Sequence, residues 1–352
     1  YVRTWGTNKI IIDSNGLNYQ GEDDTFTVEY DTNGETVNIV YADATQGWIP
    51  LDDDVVADAP VPPPTQKAIF AYGTTGSDVS MSNLVNSSGV IATDVTGVGT
   101  ARYSLAACGY GSDKAIFGYG YGGGIVSMSN LVNNSGVVAT DVSGVGTARY
   151  TLAAATYGLD KGIFGYGNTG TQSSLTNLVS NVGVIAADVT GVGTARRILA
   201  ATGYGVDTAI FGYGRYDSTD VSTTNKVSNV GVVATDTTGV GTARLGPAAA
   251  RYGTDKAIFG YGQNAAGSKI SFTNLVSNTG VVASDTTGVG TARNVLAATM
   301  YGADKAIFAY GFGGGYLSLS NLVNNVGVVA ADVSGVGTAR DNLGAAGYSL
   351  SA

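Results

Sequence analysis

The sequence contains no histidine, a single cysteine and only three glutamates, and each shortage excludes a class of chemistry. Without histidine the chain has no histidine triad, no histidine metal site and no imidazole general base. The lone Cys108 excludes an internal disulfide. All three glutamates lie within the first 35 residues, so the rest of the chain has aspartate as its only acidic side chain. We therefore predict a protein that is not an enzyme and that has neither a cofactor nor a metal site.

Long apolar runs and basic clusters are also missing. No run approaches the 18 apolar residues of a membrane-spanning helix and no signal peptide is visible, so we predict no membrane partner. Residues 1–66 hold 12 acidic side chains against Arg3 and Lys9, whereas residues 67–352 hold 15 aspartates and 16 lysines or arginines. The net charge of −9 thus belongs to the N-terminal part. A nearly neutral remainder without a basic patch argues against a nucleic-acid partner.

The sequence does contain a repeated unit of about 47 residues, which occurs six times. The tripeptide Thr-Ala-Arg recurs with spacings of 47, 47, 48, 49 and 47 residues. Each unit has four short apolar segments bounded by Gly, Asn, Asp or Ser, which is typical of four antiparallel strands. A fixed period of this size predicts an all-β fold, namely a six-bladed β-propeller with four strands in each blade. The units begin at Thr100, Thr147, Thr194, Thr242, Thr291 and Thr338.

The two ends of the repeat region predict how the ring closes. The last unit starts at Thr338 and stops 14 residues later, where the other units make a short turn. The first unit begins at Lys67 without an opening strand, and residues 67–99 supply the other 33 positions of a 47-residue repeat. We therefore predict that the C-terminal strand is the innermost strand of the first blade, so that residues 67–352 form a closed ring.

The first 66 residues follow a different pattern. Residues 1–50 are predicted to form a small β module, in which the alternating apolar and polar side chains of residues 25–30 and 37–41 indicate a hairpin that joins these two segments. A module of this size buries little apolar surface by itself, so we expect it to associate with copies of itself, as a homotrimer. Residues 51–66, with three consecutive aspartates and a polyproline run, are predicted to be a linker.

Three sets of repeated residues are assigned structural roles. The Ile-Phe-Gly-Tyr-Gly strand of each unit supplies a phenylalanine to the core, and the small residues after Thr-Ala-Arg crowd around the axis. An aspartate precedes each Thr-Ala-Arg arginine by eight residues, which predicts an Asp–Arg contact at every blade junction. The predicted pairs are Asp94 with Arg102, Asp141 with Arg149, Asp188 with Arg196, Asp236 with Arg244, Asp285 with Arg293, and Asp332 with Arg340.

The layout of the unit resembles a kelch-type propeller blade. It has an arginine before a small-residue strand, a short turn, a strand that ends in glycine, and then Asn-Leu-Val before a final strand. The near-identical blades, the polar stretch 11–21 and the tract 36–41 with the following Gly47 and Trp48 are similar to virion structural proteins of tailed phages, particularly those of marine cyanobacteria. This resemblance implies a tail or capsid fibre protein at the virion surface, with other virion proteins as partners.

The units differ from one another mainly in two places, the loop after Gly-Tyr-Gly and the two residues after Thr-Ala-Arg. In an up-and-down blade both places lie on one face, which is where a rigid scaffold usually carries recognition. Aromatic, amide and guanidinium groups there suit a sugar, so we predict a site for a host-surface glycan. Replacing Arg215 and Tyr216 by alanine should hardly affect folding. The candidate ligand-binding residues are Tyr121, Arg215, Tyr216, Gln263, Asn264, Phe312 and Tyr316.

Host attachment by a virion protein is therefore the predicted function, and three alternatives stay open. The ring could be a passive capsid decoration or spacer, or the chain could be a bacterial surface or matrix repeat protein. A glycan-degrading enzyme would need a pair of carboxylates, for which Asp217 and Asp220 are the nearest candidates. The recurring Gly-Val-Gly-Thr-Ala-Arg lacks the third glycine of a dinucleotide fingerprint and is better explained as a turn.

Overall fold

The computed structural model describes residues 9–23, 25, 27–31, 37–51 and 65–352. These residues form antiparallel strands and turns, with no helix in any of the described ranges. The all-β class predicted from the sequence is therefore confirmed. The chain divides into two compact units, Tyr1–Pro62 and Pro63–Ala352. The predicted linker, residues 51–66, falls outside the described residues apart from Leu51, Thr65 and Gln66.

The first unit contains two small sheets. Strand β1 (Ile10–Ile12) pairs with β2 (Val28–Tyr30), and β3 (Ile39–Asp43) pairs with β4 (Gly47–Pro50). The predicted hairpin between residues 25–30 and 37–41 is thus not formed by the described residues, in which β2 pairs with β1 and β3 pairs with β4. Most of the predicted turn, residues 32–36, lies outside the described residues. Strands β3 and β4 close the shorter loop, which costs less chain entropy. Their turn requires Gly47, whose φ is +69° and where a side chain would collide with the Asn18 carbonyl oxygen.

The second unit carries all the remaining strands of the described chain. They are β5 (Lys67–Ala71), β6 (Ser82–Val85), β7 (Ala106–Tyr110), β8 (Lys114–Gly118), β9 (Ser129–Val132), β10 (Ala153–Tyr157), β11 (Lys161–Gly165), β12 (Thr176–Val179), β13 (Ala200–Tyr204), β14 (Thr208–Gly212), β15 (Arg215–Tyr216), β16 (Thr219–Asp220), β17 (Thr224–Val227), β18 (Arg244–Leu245), β19 (Ala248–Tyr252), β20 (Lys256–Gly260), β21 (Gln263–Asn264), β22 (Thr273–Val276), β23 (Ala297–Tyr301), β24 (Lys305–Ala309), β25 (Ser320–Val323) and β26 (Gly344–Tyr348).

Six antiparallel sheets of three strands repeat along residues 65–352. They are sheet 1 (β26-β5-β6), sheet 2 (β7-β8-β9), sheet 3 (β10-β11-β12), sheet 4 (β13-β14-β17), sheet 5 (β19-β20-β22) and sheet 6 (β23-β24-β25). Sheet 1 takes its first strand from the C-terminal end of the chain, where Gly344 pairs with Ala71 and Tyr348 pairs with Lys67. The predicted pairing of the C-terminal strand with the start of the repeat region is confirmed.

The predicted fourth strand of each unit is reduced to two single bridges. In sheet 2, Ser129 bridges Val142 and Val132 bridges Val138. Between these bridges, the amide of Asn130 donates to the carbonyl oxygen of Ala139, so a side chain occupies a position that a continuous strand ladder would use. Each unit therefore has three strands and a bridged outer segment, which corrects the expectation of four full strands.

The first strands of the six sheets contact one another in a closed cycle, in which β26 lies beside both β23 and β7. Between adjacent sheets, a phenylalanine of one sheet packs against a tyrosine of the previous sheet, with ring centroids 5.1–5.5 Å apart. Gly118 must lack a side chain, because a Cβ there would lie 2.8 Å from the Phe164 ring. The predicted core residues are all buried, namely Phe70, Phe117, Phe164, Phe211, Phe259 and Phe308.

A belt of backbone hydrogen bonds, the upper belt, joins the sheets where their first strands begin. One N–H in each sheet donates to the equivalent carbonyl oxygen of the neighbouring sheet at 2.8–2.9 Å, and the belt closes on itself. All six residues have a left-handed φ of 47–59°. Ile198 and Val295 adopt this φ although β-branched residues rarely do, so the belt overrides their local preference. The upper belt consists of Ser104, Thr151, Ile198, Gly246, Val295 and Asn342.

A second belt, the lower belt, joins the sheets at the turns between first and second strands. In sheets 2 and 3, for example, the N–H of Gly111 donates to the carbonyl oxygen of Asp160 at 2.7 Å. Where the chain ends meet, Gly302 donates to Gln66 and Ser349 donates to Asp113. The lower belt is therefore also closed, with Gln66 and Ser349 in place of the usual aspartate and glycine.

Candidate functional site

Each sheet completely buries the arginine of Thr-Ala-Arg. In sheet 2, Arg102 donates from Nε to the Tyr119 carbonyl oxygen at 2.9 Å and from Nη2 to the Asn130 amide oxygen at 2.7 Å. Its guanidinium carbon lies 4.3 Å from the ring centre of Tyr72, which belongs to sheet 1. Burial raises the pKa of Tyr72 to about 12, so the phenol stays neutral and offers its π face to the cation. The arginine thus connects two sheets.

The aspartate beside this arginine is not the one that the eight-residue spacing predicts. Nη1 of Arg102 lies 3.9 Å from Asp141 of its own unit, whereas Asp94 lies 3.9 Å from Arg340. The contact is longer than a hydrogen bond because Asp141 is held by the side-chain hydroxyl and backbone N–H of Thr100 instead. The predicted pairing is therefore corrected. The other close pairs are Arg149 with Asp188, Arg196 with Asp236, and Arg244 with Asp285.

The sequence interpretation missed the asparagine of the third strand. The Asn130 amide oxygen accepts from Arg102, and its NH₂ group donates to Asp141 at 2.9 Å, so it links the cation to the carboxylate. The signal was present in the sequence, because this asparagine recurs in all six units even where Lys226 replaces the following leucine. The six fully buried asparagines are Asn83, Asn130, Asn177, Asn225, Asn274 and Asn321.

These clusters predict a fold that is sensitive to acid. Burial opposes the ionisation of Asp141, but hydrogen bonds from Thr100 and Asn130 and the charge of Arg102 outweigh it and hold its pKa below the usual value. The pKa of each of the five equivalent aspartates is lowered in the same way. A carboxyl group with a lower pKa in the folded state stabilises the fold above its unfolded pKa, about 4, and this contribution is lost as the pH falls through the folded pKa.

We therefore expect the urea midpoint of unfolding to be nearly constant from about pH 5 to pH 8, where no histidine titrates, and to fall below about pH 4. Asp141→Asn should make this fall shallower by about one sixth, because it removes one of six equivalent groups. Urea titrations at a series of pH values, followed by circular dichroism, measure both effects. A midpoint that rises on acidification to about pH 3 would contradict the assignment.

The residues that differ between sheets lie together at the upper-belt end. In sheet 2, the backbones of Tyr103 and Tyr121 exchange hydrogen bonds of 3.0 and 2.9 Å, and Tyr121 also bridges Ile125. Equivalent residues form a row of three in every sheet, and we call these six rows the variable face. The rows are Asp341, Thr74 and Asp78; Tyr103, Tyr121 and Ile125; Tyr150, Asn168 and Gln172; Arg197, Arg215 and Asp220; Leu245, Gln263 and Lys269; and Asn294, Phe312 and Tyr316.

Three tyrosines meet where the rows of sheets 2 and 3 touch. The ring centre of Tyr121 lies 5.5 Å from that of Tyr103 and 5.8 Å from that of Tyr150. All three rings are half-buried. The structure thus places Tyr121, a predicted site residue, in an aromatic cluster whose other members were noted only as variable positions. Such a cluster offers both an apolar surface and hydroxyl groups.

A second connected patch spans the rows of sheets 5 and 6. The amide oxygen of Gln263 accepts a hydrogen bond of 3.1 Å from Lys269, whose ammonium also lies 5.7 Å from the ring centre of Phe312. Phe312 in turn packs edge-on against Tyr316 with ring centres 5.7 Å apart. Asn264 has a different role, since its side-chain oxygen accepts hydrogen bonds from the backbone of its own loop. Three predicted residues therefore join one patch, and Asn264 shapes the loop beside it.

Sheet 4 presents the short hairpin β15–β16 with Arg215 and Tyr216. Nε of Arg215 donates to the Asp220 carboxylate at 2.6 Å, and the Asp220 side chain is fully buried. Tyr216 is exposed beside it. Arg215 is therefore not the free loop residue expected from the sequence, and we now expect its replacement to destabilise the fold, because the change would leave a buried carboxylate without its cation. Tyr216 remains suitable for substitution.

The two aspartates considered as a carboxylate pair have different surroundings. Asp220 is buried and bound to Arg215, whereas Asp217 is exposed in the hairpin turn with a left-handed φ of 49°. Their environments are those of an ion-pair member and a turn residue.

A cavity of about 120 Å³ lies inside the upper belt. Its wall consists of six equivalent segments, each formed by a belt residue and the three residues that follow it, with alanine methyl groups from the first strands. None of the described residues that line it has a charged side chain. The chemical variety at this end of the six sheets therefore lies in the variable face that surrounds the cavity.

These features define, for the described part of the chain, an all-β repeat protein in which one face carries most of the differences between repeats. No protein-family model matches the chain, and no curated protein matches it either. Over the described ranges, no helix is long and apolar enough to cross a membrane. The same ranges contain no group of three or more His, Cys, Asp or Glu side chains that could hold a metal ion.

Proposed function

We propose that the chain is a structural protein of a tailed-phage virion that displays a six-bladed, kelch-like β-propeller for attachment to a host-surface glycan. The main observation in support of this proposal is the variable face, in which chemically different rows surround one end of a nearly uniform scaffold. Loops held on a rigid scaffold are the usual place for recognition. The opposite end repeats nearly the same Asp-Lys turn, so it offers much less chemical variety.

The propeller architecture is supported by the contacts between sheets. The first strands follow one another in a closed cycle, and two closed belts of backbone hydrogen bonds connect them. In this proposal each sheet is one blade, and the bridged outer segment takes the place of the fourth strand. The buried arginines, each stacked on a tyrosine of the preceding sheet, make the blade junctions rigid.

We assign the first unit to docking and self-association within the virion, as a homotrimer. Strand β3 has Ile39, Val40 and Tyr41 exposed on both of its faces. Adjacent exposed apolar residues of this kind are typical of a surface that another chain covers. Multi-angle light scattering of the full-length chain tests this, since a monomer at micromolar concentration would contradict the assignment.

Purified particles provide the test of the virion assignment. Mass spectrometry of phage particles from the source of this sequence should detect the chain in stoichiometric amounts. Its absence from intact particles would exclude the assignment to a phage virion and favour a bacterial surface or matrix protein. If the chain is present in normal particles, but particles made without it infect equally well, the chain would be a passive decoration.

Binding to the host tests the variable face. Replacing the exposed Tyr216 and Tyr316 together by alanine should weaken binding by about 1–3 kcal/mol if the rings lie at the centre of the site. Stability should stay within about 0.5 kcal/mol, because both side chains are exposed. The matched control replaces Lys161 and Lys256 by alanine, since these are the first residues of β11 and β20, directly after lower-belt turns. Binding to host cells that is lost in the control variant and kept in the tyrosine variant would show that the opposite face binds.

A further inference from the structure

The row of sheet 4 is unusual because it sets two cations opposite each other. Arg197 and Arg215 are paired in an antiparallel bridge, with backbone hydrogen bonds of 3.0 and 2.8 Å between them. Directly opposite residues in such a pair have side chains on the same side of the sheet, with Cβ atoms about 4.5–5.5 Å apart. Like charges at these positions repel each other. No other row of the variable face has two like charges at these two positions.

The acidic groups nearby balance only one of the two charges. Asp220 accepts from Nε of Arg215 at 2.6 Å. Among the described residues, no carboxylate oxygen lies within 4.0 Å of a nitrogen of Arg197. Nε of Arg197 is buried and has no hydrogen-bond partner in the described residues. The row therefore holds one uncompensated guanidinium with an unused buried donor.

The surroundings favour a small anionic group over a polyanion. Residues 67–352 hold 16 basic and 15 acidic side chains, so the arginine pair lies on a ring that is nearly neutral overall. A nucleic-acid backbone would require a wider basic surface. Tyr216 is exposed in the same hairpin and can stack on a sugar ring next to the anion.

We propose that Arg197 and Arg215 together bind an oxyanion, the carboxylate or sulfate group of an acidic sugar. Guanidinium groups present planar pairs of N–H donors that match such oxyanions, and the bound anion removes the repulsion between the two arginines. This inference rests on the proposed attachment to glycans and specifies the ligand class: acidic glycans bind and neutral ones do not.

The central variant is Arg197→Gln in the full-length chain, because its replacement leaves no carboxylate without a partner. It should fold as stably as the wild type, or more stably, in chloride buffer, since it removes like-charge repulsion. Lys256→Gln is the matched control, because it removes one positive charge from an exposed lysine at the start of β20, at the lower-belt end. Arg197→Lys keeps the charge and loses the planar fork.

The first measurement uses sodium sulfate against sodium chloride at equal ionic strength and does not depend on any glycan. Sulfate should raise the melting temperature of the wild type and of Lys256→Gln more than that of Arg197→Gln, because only the first two keep the oxyanion site. The general salting effect of sulfate is common to all three proteins and therefore cancels in the comparison. Equal shifts in all three proteins would overturn the oxyanion site, whatever the chain binds in the cell.

The second measurement uses three oligosaccharides with one backbone, which are neutral, carboxylated or O-sulfated. Calorimetry should detect binding of one or both acidic forms, and the form that binds identifies the source of the oxyanion. Arg197→Gln should weaken it about tenfold or more, which is the loss expected for a hydrogen bond to a charged group. Equal binding of the neutral form would overturn the inference and leave glycan attachment intact. A sulfate-specific shift without glycan or host-cell binding would instead keep the anion site and contradict the proposed function.

Discussion

A chain that lacks residues 338–352 is expected to lose cooperative unfolding and to aggregate. The truncation removes β26, whose five residues pair with β5 in sheet 1. It also removes Arg340, which donates to the Tyr72 carbonyl oxygen at 2.9 Å and to Asn83 at 2.7 Å. Strand β5 would then present an unpaired edge, which is a template for pairing with another chain.

The same truncation opens both belts of inter-sheet hydrogen bonds. Asn342 is one of the six members of the upper belt, and Ser349 donates to Asp113 in the lower belt. Sheets 1 and 2 thereby lose their contact through the first strands, because β26 is the strand that lies beside β7. Sheets 6 and 1 lose theirs as well, because β26 also lies beside β23, so the closed cycle of first strands is broken on both sides of sheet 1.

Equilibrium unfolding in urea, followed by circular dichroism, measures this effect together with light scattering. The control chain lacks only Ser351 and Ala352, which are exposed and lie beyond β26. It should unfold like the full chain. If the chain without residues 338–352 gave the same sharp transition and the same denaturant slope, β26 would not be needed for the fold.

The second large effect is expected from replacing Arg102 by alanine, which should destabilise the second unit by about 3–5 kcal/mol. The change leaves the carbonyl oxygen of Tyr119 and the amide oxygen of Asn130 without their buried donor. It also removes the cation from Asp141 and from the ring of Tyr72. Unsatisfied buried acceptors and an uncompensated carboxylate both cost free energy.

Two companion variants separate charge from geometry. Lys256→Ala removes a positive charge from an exposed side chain and should change stability by less than about 0.5 kcal/mol. Arg102→Lys keeps the charge but has no planar fork for the two acceptors, so its stability should lie between those of the wild type and Arg102→Ala. Urea unfolding of all three measures this order. A wild-type stability of Arg102→Lys would mean that charge alone matters at this site.

Several elements of the fold could be predicted because they depend on local sequence. The first three residues of the Ile-Phe-Gly-Tyr-Gly segment end the second strand, and its phenylalanine is buried in every unit, whereas the following tyrosine lies beyond the strand with a left-handed φ. The count of residues at the two ends predicted that the C-terminal strand would pair with residues 67–71, and it does. Turn residues and alternating apolar positions carry this information within a few residues.

The outer segment of each unit shows where local pattern fails. Its apolar residues resemble those of the other strands, and four full strands were expected. Asn130 lies opposite this segment and uses its side chain to bond the Ala139 carbonyl oxygen, so only single bridges form. A pattern of apolar residues does not reveal that a neighbouring side chain occupies the hydrogen-bonding positions.

The sequence by itself therefore determined the strand class, the number and length of the repeats and the position of their differences, since these follow from periodicity. Only the tertiary structure decided which charged groups meet. Thr100 binds Asp141, 41 residues away, although Asp94 is far closer along the chain. Arg197 lies opposite Arg215, and Asp220 is buried against Arg215. The physical reason is that six nearly identical units offer several equivalent partners for each charge, and strand pairing and packing alone bring one of them within a few ångströms.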